Sequence, residues 1–128
     1  MVAWNEYKGI ARERGALAFE VFIVQSTPAA GPEAVKENLP DHLAYQRTLE
    51  SNGSLMLAGP ISDESGEEMQ GAGMVILRAA SMEDAKALAD NDPMHKSGAR
   101  NYVLRKWLLN EGSLSVNVGL STGAVSLT

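Results

Sequence analysis

Apolar residues along this chain recur at helical spacing, gather in short continuous runs, or alternate, and each pattern predicts an element. Trp4, Tyr7 and Ala11 fall at helical spacing and predict a short amphipathic helix over residues 2–14, closed by Gly15. Phe19-Glu20-Val21-Phe22-Ile23-Val24-Gln25 predicts a strand, ended by Ser26-Thr27-Pro28 and the turn-forming Gly31-Pro32. A first main helix follows over 33–52, with Leu39, His42, Leu43, Gln46 and Leu49 on one face and Gly53 as its left-handed close. Pro40 is expected to split it, because proline belongs in a first turn. Leu55-Met56-Leu57-Ala58-Gly59-Pro60 predicts a second strand and Met74-Val75-Ile76-Leu77-Arg78 a third, separated by the polar loop 62–71. Ser81-Met82-Glu83-Asp84 reads as a capped helix start; that helix turns Ala85, Leu88 and Ala89 inward and stops before Pro93. A fourth strand runs from Tyr102 to Leu109. The tail alternates through Leu114–Leu120 and again through Ala124–Leu127, a hairpin pattern around Ser121-Thr122-Gly123.

The order β-α-β-β-α-β is the ferredoxin-like split βαβ plan, an α+β fold. Right-handed crossovers put both helices on one face of a four-stranded antiparallel sheet, with the first and third strands central. Those two strands carry the continuous apolar runs Val21-Phe22-Ile23-Val24 and Met74-Val75-Ile76-Leu77. Continuous runs imply cover on both faces, and the helices supply only one. A second copy of the chain, packed face to face as a homodimer, is the expected cover; folding of the N-terminal helix and tail over that face is the alternative. At 128 residues the length suits a single domain: a core of about 18–109, the helix 2–14 and the tail 110–128.

Composition narrows the function mainly by exclusion. A net charge of −5 without clustered Lys or Arg argues against nucleic acid and against an anionic membrane surface. No cysteine is present, so disulfide and thiolate chemistry are excluded and a cytoplasmic setting is expected. The first fourteen residues lack the apolar segment of a signal peptide or membrane span.

Topology then selects two residues. With the first strand running up, one pole of the sheet collects Ser26 and Thr27, the start of the first main helix with His42, and Gly59-Pro60. It also collects Asp92-Pro93-Met94 and Arg100. One of only two histidines thus shares a pole with a carboxylate that precedes a proline. Such a pair can hold the imidazole in one tautomer, Nδ1–H toward Asp92, and leave Nε2 free to move protons. The plainer alternative is a packed histidine and a helix stop. Arg100 offers a planar fork for an anion, with Ser97, Gly59, Pro60 and Met94 as further substrate contacts. His95, among Lys96 and Ser97, is expected to be solvated. The acids Asp63, Glu64, Glu67 and Glu68 lack the spacing of a calcium loop. Two histidines without cysteine make a poor zinc set, so no metal and no cofactor are expected. No nucleophile–base triad is visible.

Several segments together resemble the YCII-related family: His42-Leu43-Ala44-Tyr45, Gly53-Ser54-Leu55 leading to Leu57-Ala58-Gly59-Pro60, Ser81-Met82-Glu83-Asp84-Ala85, and Asp92-Pro93-Met94 with Gly98. The likeness covers about residues 18–109. It implies a dimeric α+β barrel fold and a histidine–aspartate dyad at His42 and Asp92. Within that family a dehydrochlorinase-type lyase activity is known, while most members have no assigned chemistry. A related branch that accompanies sigma factors carries Asp-Gly-Pro-Phe; Ala58-Gly59-Pro60-Ile61 departs from it. The resulting expectation is a small cofactor-independent enzyme, lyase- or isomerase-like, moving protons on a small organic molecule. A non-catalytic dimer that binds a metabolite or protein partner is the alternative.

Overall fold

A computed structural model describes residues 1–128. Its elements follow the predicted order: α1 (Trp4–Glu13), β1 (Phe19–Pro28), α2 (Pro32–Ser51), β2 (Leu55–Pro60), β3 (Gly73–Leu77), α3 (Met82–Asp90), α4 (Pro93–Lys96), β4 (Arg100–Leu109), β5 (Val116–Val118) and β6 (Val125–Leu127). Two compact units can be distinguished, Glu20–Trp107 and Met1–Phe19 with Leu108–Thr128. No helix is long and apolar enough to cross a membrane.

In the larger unit the sheet order is β2-β3-β1-β4, with β1 and β3 central as the apolar runs require. Antiparallel pairing sets Phe22 opposite Leu77 and Val24 opposite Val75, so these four share one face. Leu49 from α2 and Ala85 and Ala89 from α3 are buried against that face, with Tyr45, Leu88, Tyr102 and Leu104 around them. Helices α2 and α3 therefore lie on one side of an antiparallel sheet, an α+β fold of ferredoxin-like plan. The alanines of α3 let it approach the sheet closely, while Phe22 and Leu77 fill the centre. Ser81 caps α3 as its sequence suggests, accepting the Asp84 backbone N–H at 3.0 Å.

The opposite sheet face also carries apolar residues, interrupted by Arg105, which donates to Gln25 Oε1 at 2.6 Å. Ile23 stands opposite Ile76, which pairs in turn with Leu57 on β2. Val103 and Trp107 alternate with the inward Tyr102 and Leu104 on β4. Leu57, Val103 and Trp107 are 58%, 51% and 44% exposed, respectively.

One local expectation is corrected and one is extended. Pro40 does not split α2, which runs unbroken through it. Pro40 and Lys36, whose carbonyl loses its helical partner, both lie on the exposed side, where water can serve that oxygen. Pro93 ends α3 only to begin α4: Asp92 is an N-cap and Pro93 the first helical residue, where its missing N–H costs nothing.

In the smaller unit, Ala11, Ala18 and Leu108 form a buried cluster flanked by Trp4 and Ala16. The tail forms the predicted hairpin, with Val116 opposite Leu127 and Val118 opposite Val125.

Candidate functional site

The helical stripe of α2 divides by depth. Tyr45 and Leu49 enter the core, whereas Leu39 and Leu43 are 42% and 46% exposed and, with His42 and Gln46, form one wall of a cavity of about 420 Å³. The ends of β1 and β2, the loop before β3, and α4 supply the remaining walls. The lining is mainly apolar: Val35, Leu55, Ala58, Met69, Met74, Val75 and Met94. Five polar side chains interrupt it: Ser26, Gln46, Asp92, His95 and Arg100, besides His42 itself. Cavities of this size and lining suit small organic molecules.

His42 and Asp92, 50 residues apart, meet in that wall. His42 Nδ1 lies 2.9 Å from each Asp92 carboxylate oxygen. An ionised carboxylate only accepts, so with the ring neutral the proton sits on Nδ1 and Nε2 carries the free lone pair. Nε2 has no partner within the protein. Asp92 is 4% exposed and is held by three further features. The Met94 backbone N–H donates to Oδ1 at 2.9 Å. Gln46 Nε2 donates to Oδ2 at 3.4 Å. Arg100 is close enough that its charge and that of Asp92 stabilise one another. Burial, and after it the Asp92 charge, pushes the Tyr45 phenol up; its hydroxyl donates to the Leu88 carbonyl at 2.7 Å. Gln46 Oε1 is buried without a partner. Turning the amide over would aim that oxygen at the Asp92 carboxylate, so the orientation is electrostatically fixed.

Arg100 is anchored rather than free. Nε donates to Ser26 Oγ at 2.8 Å and Nη2 to the Ser26 carbonyl at 2.9 Å. Nη2 also donates to the Gly71 carbonyl. Only Nη1 is without a protein partner. Burial lowers the guanidinium from its usual range, with Asp92 opposing, yet it stays charged at any physiological pH.

His95 is not solvated as its polar neighbours suggest. The turn of α4 carries it inward, where Nδ1 lies 2.8 Å from the Ala89 carbonyl and Nε2 2.8 Å from Ser26 Oγ. Its ring lies 4.7 Å from that of Tyr102. The sequence reading places Ser26 at this pole and Gln46 on the His42 face but gives neither a role, and it misses His95. Its one available signal was Asp-Pro as a helix start, which would have placed His95 on a new helix instead of in a loop.

Gly59, Pro60 and Met94 line the cavity; Ser97 does not. Ser97 is exposed, and its hydroxyl donates to the Met94 carbonyl and accepts the Ala99 N–H at 3.2 Å, closing the turn after α4. No group of three or more His, Cys, Asp or Glu side chains could hold a metal ion. The acidic loop folds on itself: Asp63 Oδ1 accepts the Ser65 hydroxyl at 2.6 Å and the Gly66 N–H at 3.1 Å, and chiefly the Ser65 bond holds that carboxyl below its ordinary range.

Comparison with known proteins places this geometry. Over 76 residues the chain is 26% identical to the uncharacterized protein YjpA of Bacillus subtilis (strain 168), a match covering 59% of this chain and 82% of that protein. Among solved structures it resembles 5-chloro-2-hydroxyhydroquinone dehydrochlorinase (TftG) from Burkholderia phenoliruptrix AC1100, in complex with 2,5-dihydroxybenzoquinone. That likeness has a TM-score of 0.55 at 22% identity over 68% of this chain and 92% of the other, which establishes a shared fold. The model of the YCII-related domain matches residues 18–108, the segment that carries the sheet, helices α2 and α3 and the cavity, and the chain belongs to the YCII-related family.

Proposed function

We propose that this protein is a small cofactor-independent enzyme that moves a proton at carbon in a small organic molecule, in a lyase- or isomerase-like reaction. The observation that carries this reading is His42 itself: a ring whose Nδ1–H is held by a buried carboxylate and whose Nε2 has no partner. Nε2 is then the base that takes a proton from carbon, and the resulting imidazolium is the acid that returns it or protonates a leaving group. Asp92 fixes the tautomer and stabilises the charged ring. Arg100 holds an anionic oxygen of the substrate through Nη1, and Gly59, Pro60 and Met94 shape the apolar walls. The dehydrochlorinase of similar fold works on a hydroxylated chloro-aromatic ring, and a planar hydroxylated ring is the substrate class favoured here.

The working form in this proposal is a homodimer. Leu57, Val103 and Trp107 leave an apolar sheet face exposed, and a second copy packed face to face would cover it by two-fold symmetry. The acidic, cysteine-free composition fits work in the cytoplasm, without nucleic acid or membrane as partner.

A thermal-shift screen of hydroxylated quinones, phenols and small keto acids, followed by turnover assays on each stabilising compound, tests the reading. A stabilising compound should be consumed by the wild type, and His42→Ala should slow its consumption by about 10²–10⁴-fold. Stabilising compounds that are never consumed would point instead to a non-catalytic binding protein.

A further inference from the structure

Ser26 and His95 form a second hydrogen-bonded unit in the cavity wall, and its two ends determine its protonation. At one end Arg100 Nε, which can only donate, lies 2.8 Å from Ser26 Oγ. At the other the Ala89 carbonyl, which can only accept, lies 2.8 Å from His95 Nδ1. With His95 neutral, Nδ1 must therefore carry the proton and Nε2 the lone pair. The Ser26 hydroxyl, 2.8 Å away, donates to that lone pair. Ser26 Oγ has then used its hydrogen and one lone pair, and its second lone pair remains available. Ser26 is 6% exposed and lines the cavity. A hydroxyl backed by an imidazole, itself oriented by a third group, is the arrangement that lets a serine pass a proton on.

We propose that Ser26, backed by His95, takes up the hydroxyl proton of an enolic or phenolic substrate in this cavity, opposite in role to His42, which works at carbon. This rests on reading the cavity as a site of proton transfer. In the enol-to-keto direction the substrate O–H bond breaks and a new bond forms to Ser26 Oγ, while the serine hydrogen passes to His95 Nε2. The electron pair stays on the substrate oxygen and becomes the carbonyl π bond as carbon takes a proton from the His42 imidazolium. One proton leaves oxygen, one reaches carbon, and the positive charge moves from His42 to His95. The step balances without another reactant.

The surroundings suit that charge movement. Asp90, at the end of α3, is near enough to His95 for the two to interact electrostatically. Tyr102 lies against the ring. Arg100 opposes the charge on His95, but it stabilises an oxyanion on the substrate in the same step. Arg100 thus attracts a hydroxyl oxygen, Ser26 Oγ accepts the hydroxyl hydrogen, and His95 accepts the proton that Ser26 releases.

The probe is 4-nitrophenol, whose yellow anion reports directly whether a bound hydroxyl has lost its proton. The full-length protein is titrated at a pH where about one tenth of the free probe is ionised. Binding to the wild type should raise the ratio of anion to neutral phenol by about tenfold, one unit of apparent acidity. Ser26→Ala and His95→Gln should each return the bound probe to the ratio seen in solution, with unchanged circular dichroism, whereas His42→Ala should keep the raised ratio. Failure of the wild type to bind the phenol, binding without added ionisation, or full ionisation in both Ser26→Ala and His95→Gln would overturn the proposal. Loss of ionisation in His42→Ala alone would assign the hydroxyl proton to His42 and overturn it too. Raised ionisation that depends on Ser26 and His95, combined with no role for His42 at carbon, would leave this inference standing and remove only the function proposed above.

Discussion

Replacing Asp92 separates its structural work from its chemical work, because the two use different properties of one carboxylate. Asp92→Ala removes the N-cap of α4, worth about 1 kcal/mol, and the bond from His42 to a charged acceptor, worth about 1.5–3 kcal/mol. The sum is a loss of about 2.5–4 kcal/mol, or about 10–16 °C in Tm for a chain of this size. Asp92→Asn keeps an oxygen for the Met94 N–H, so the cap survives and the loss falls to about 1 kcal/mol. Its effect on His42 is larger than its effect on the fold. In the wild type both oxygens lie 2.9 Å from Nδ1, and neither can donate, so neutral His42 must be the Nδ1–H tautomer. An asparagine amide brings a donor to the same place, and the Nε2–H tautomer, useless as a base toward the cavity, becomes accessible. Long-range ¹H–¹⁵N correlation spectra distinguish the tautomers, and the chain has only two histidines to assign. The expected outcome is a single Nδ1–H form in the wild type and a mixture or reversal in Asp92→Asn, with thermal unfolding ordered wild type, Asn, Ala. A wild-type neutral His42 protonated on Nε2, or an Ala variant as stable as the wild type, would refute the reasoning.

Three shorter predictions follow from other parts of the structure. At Gly71 a Cβ would lie 2.5 Å from the Pro28 ring at a φ of +99°, whereas at Gly66, with φ +80°, it would meet nothing. Gly71→Ala should therefore cost clearly more than Gly66→Ala, which loses about 1 kcal/mol, and should also weaken ligand binding, because the Gly71 carbonyl anchors Arg100; equal thermal shifts would contradict this. Burial, the hydrogen bond to Asp90 and the Asp90 charge push the Tyr102 phenol up to about 12. A raised group contributes stability that is intact below its ordinary 10.0 and lost as the pH climbs through about 12, so stability should fall across that window, and in Asp90→Asn a tyrosinate absorbance titration should show the phenol partly restored toward 10.0. Light scattering should give twice the 13.7 kDa chain mass, and Val103→Lys with Trp107→Glu should halve it; a wild-type monomer would contradict the dimer.

Legibility from sequence followed the range of the interactions. The strands and α3 were readable because short apolar runs bounded by turn residues and the Ser81 cap are local signals. The central positions of β1 and β3 were readable because burial on two faces leaves an unbroken apolar run. His42 and Asp92 were placed at one pole by chain direction alone. Ser26 and Gln46 were located but given no role, and His95 was not found, since their partners stand far off in sequence: Ser26 bonds 69 residues away to His95 and 74 to Arg100. A serine ending a strand looks like turn chemistry until the fold brings a base to it. Four residues of helix carry no periodicity, so only the Asp92-Pro93 start could have revealed α4, and the inward turn of His95 was missed with it. The stripe on α2 was correctly located, but its periodicity could not separate residues that pack from residues that line an open cavity.

Hydrogen exchange at carbon tests the central claim most directly, since it needs only proton transfer and not the full reaction. 2,5-Dihydroxybenzoquinone and 5-chloro-2-hydroxyhydroquinone, the compounds of the similar dehydrochlorinase, would be incubated with the protein in D₂O and followed by NMR for loss of ring C–H signal. The account predicts exchange accelerated by the wild type and slowed by about 10²–10⁴-fold in His42→Ala at saturating ligand. Saturable binding of either compound with no acceleration of exchange, or equal exchange in His42→Ala, would contradict it.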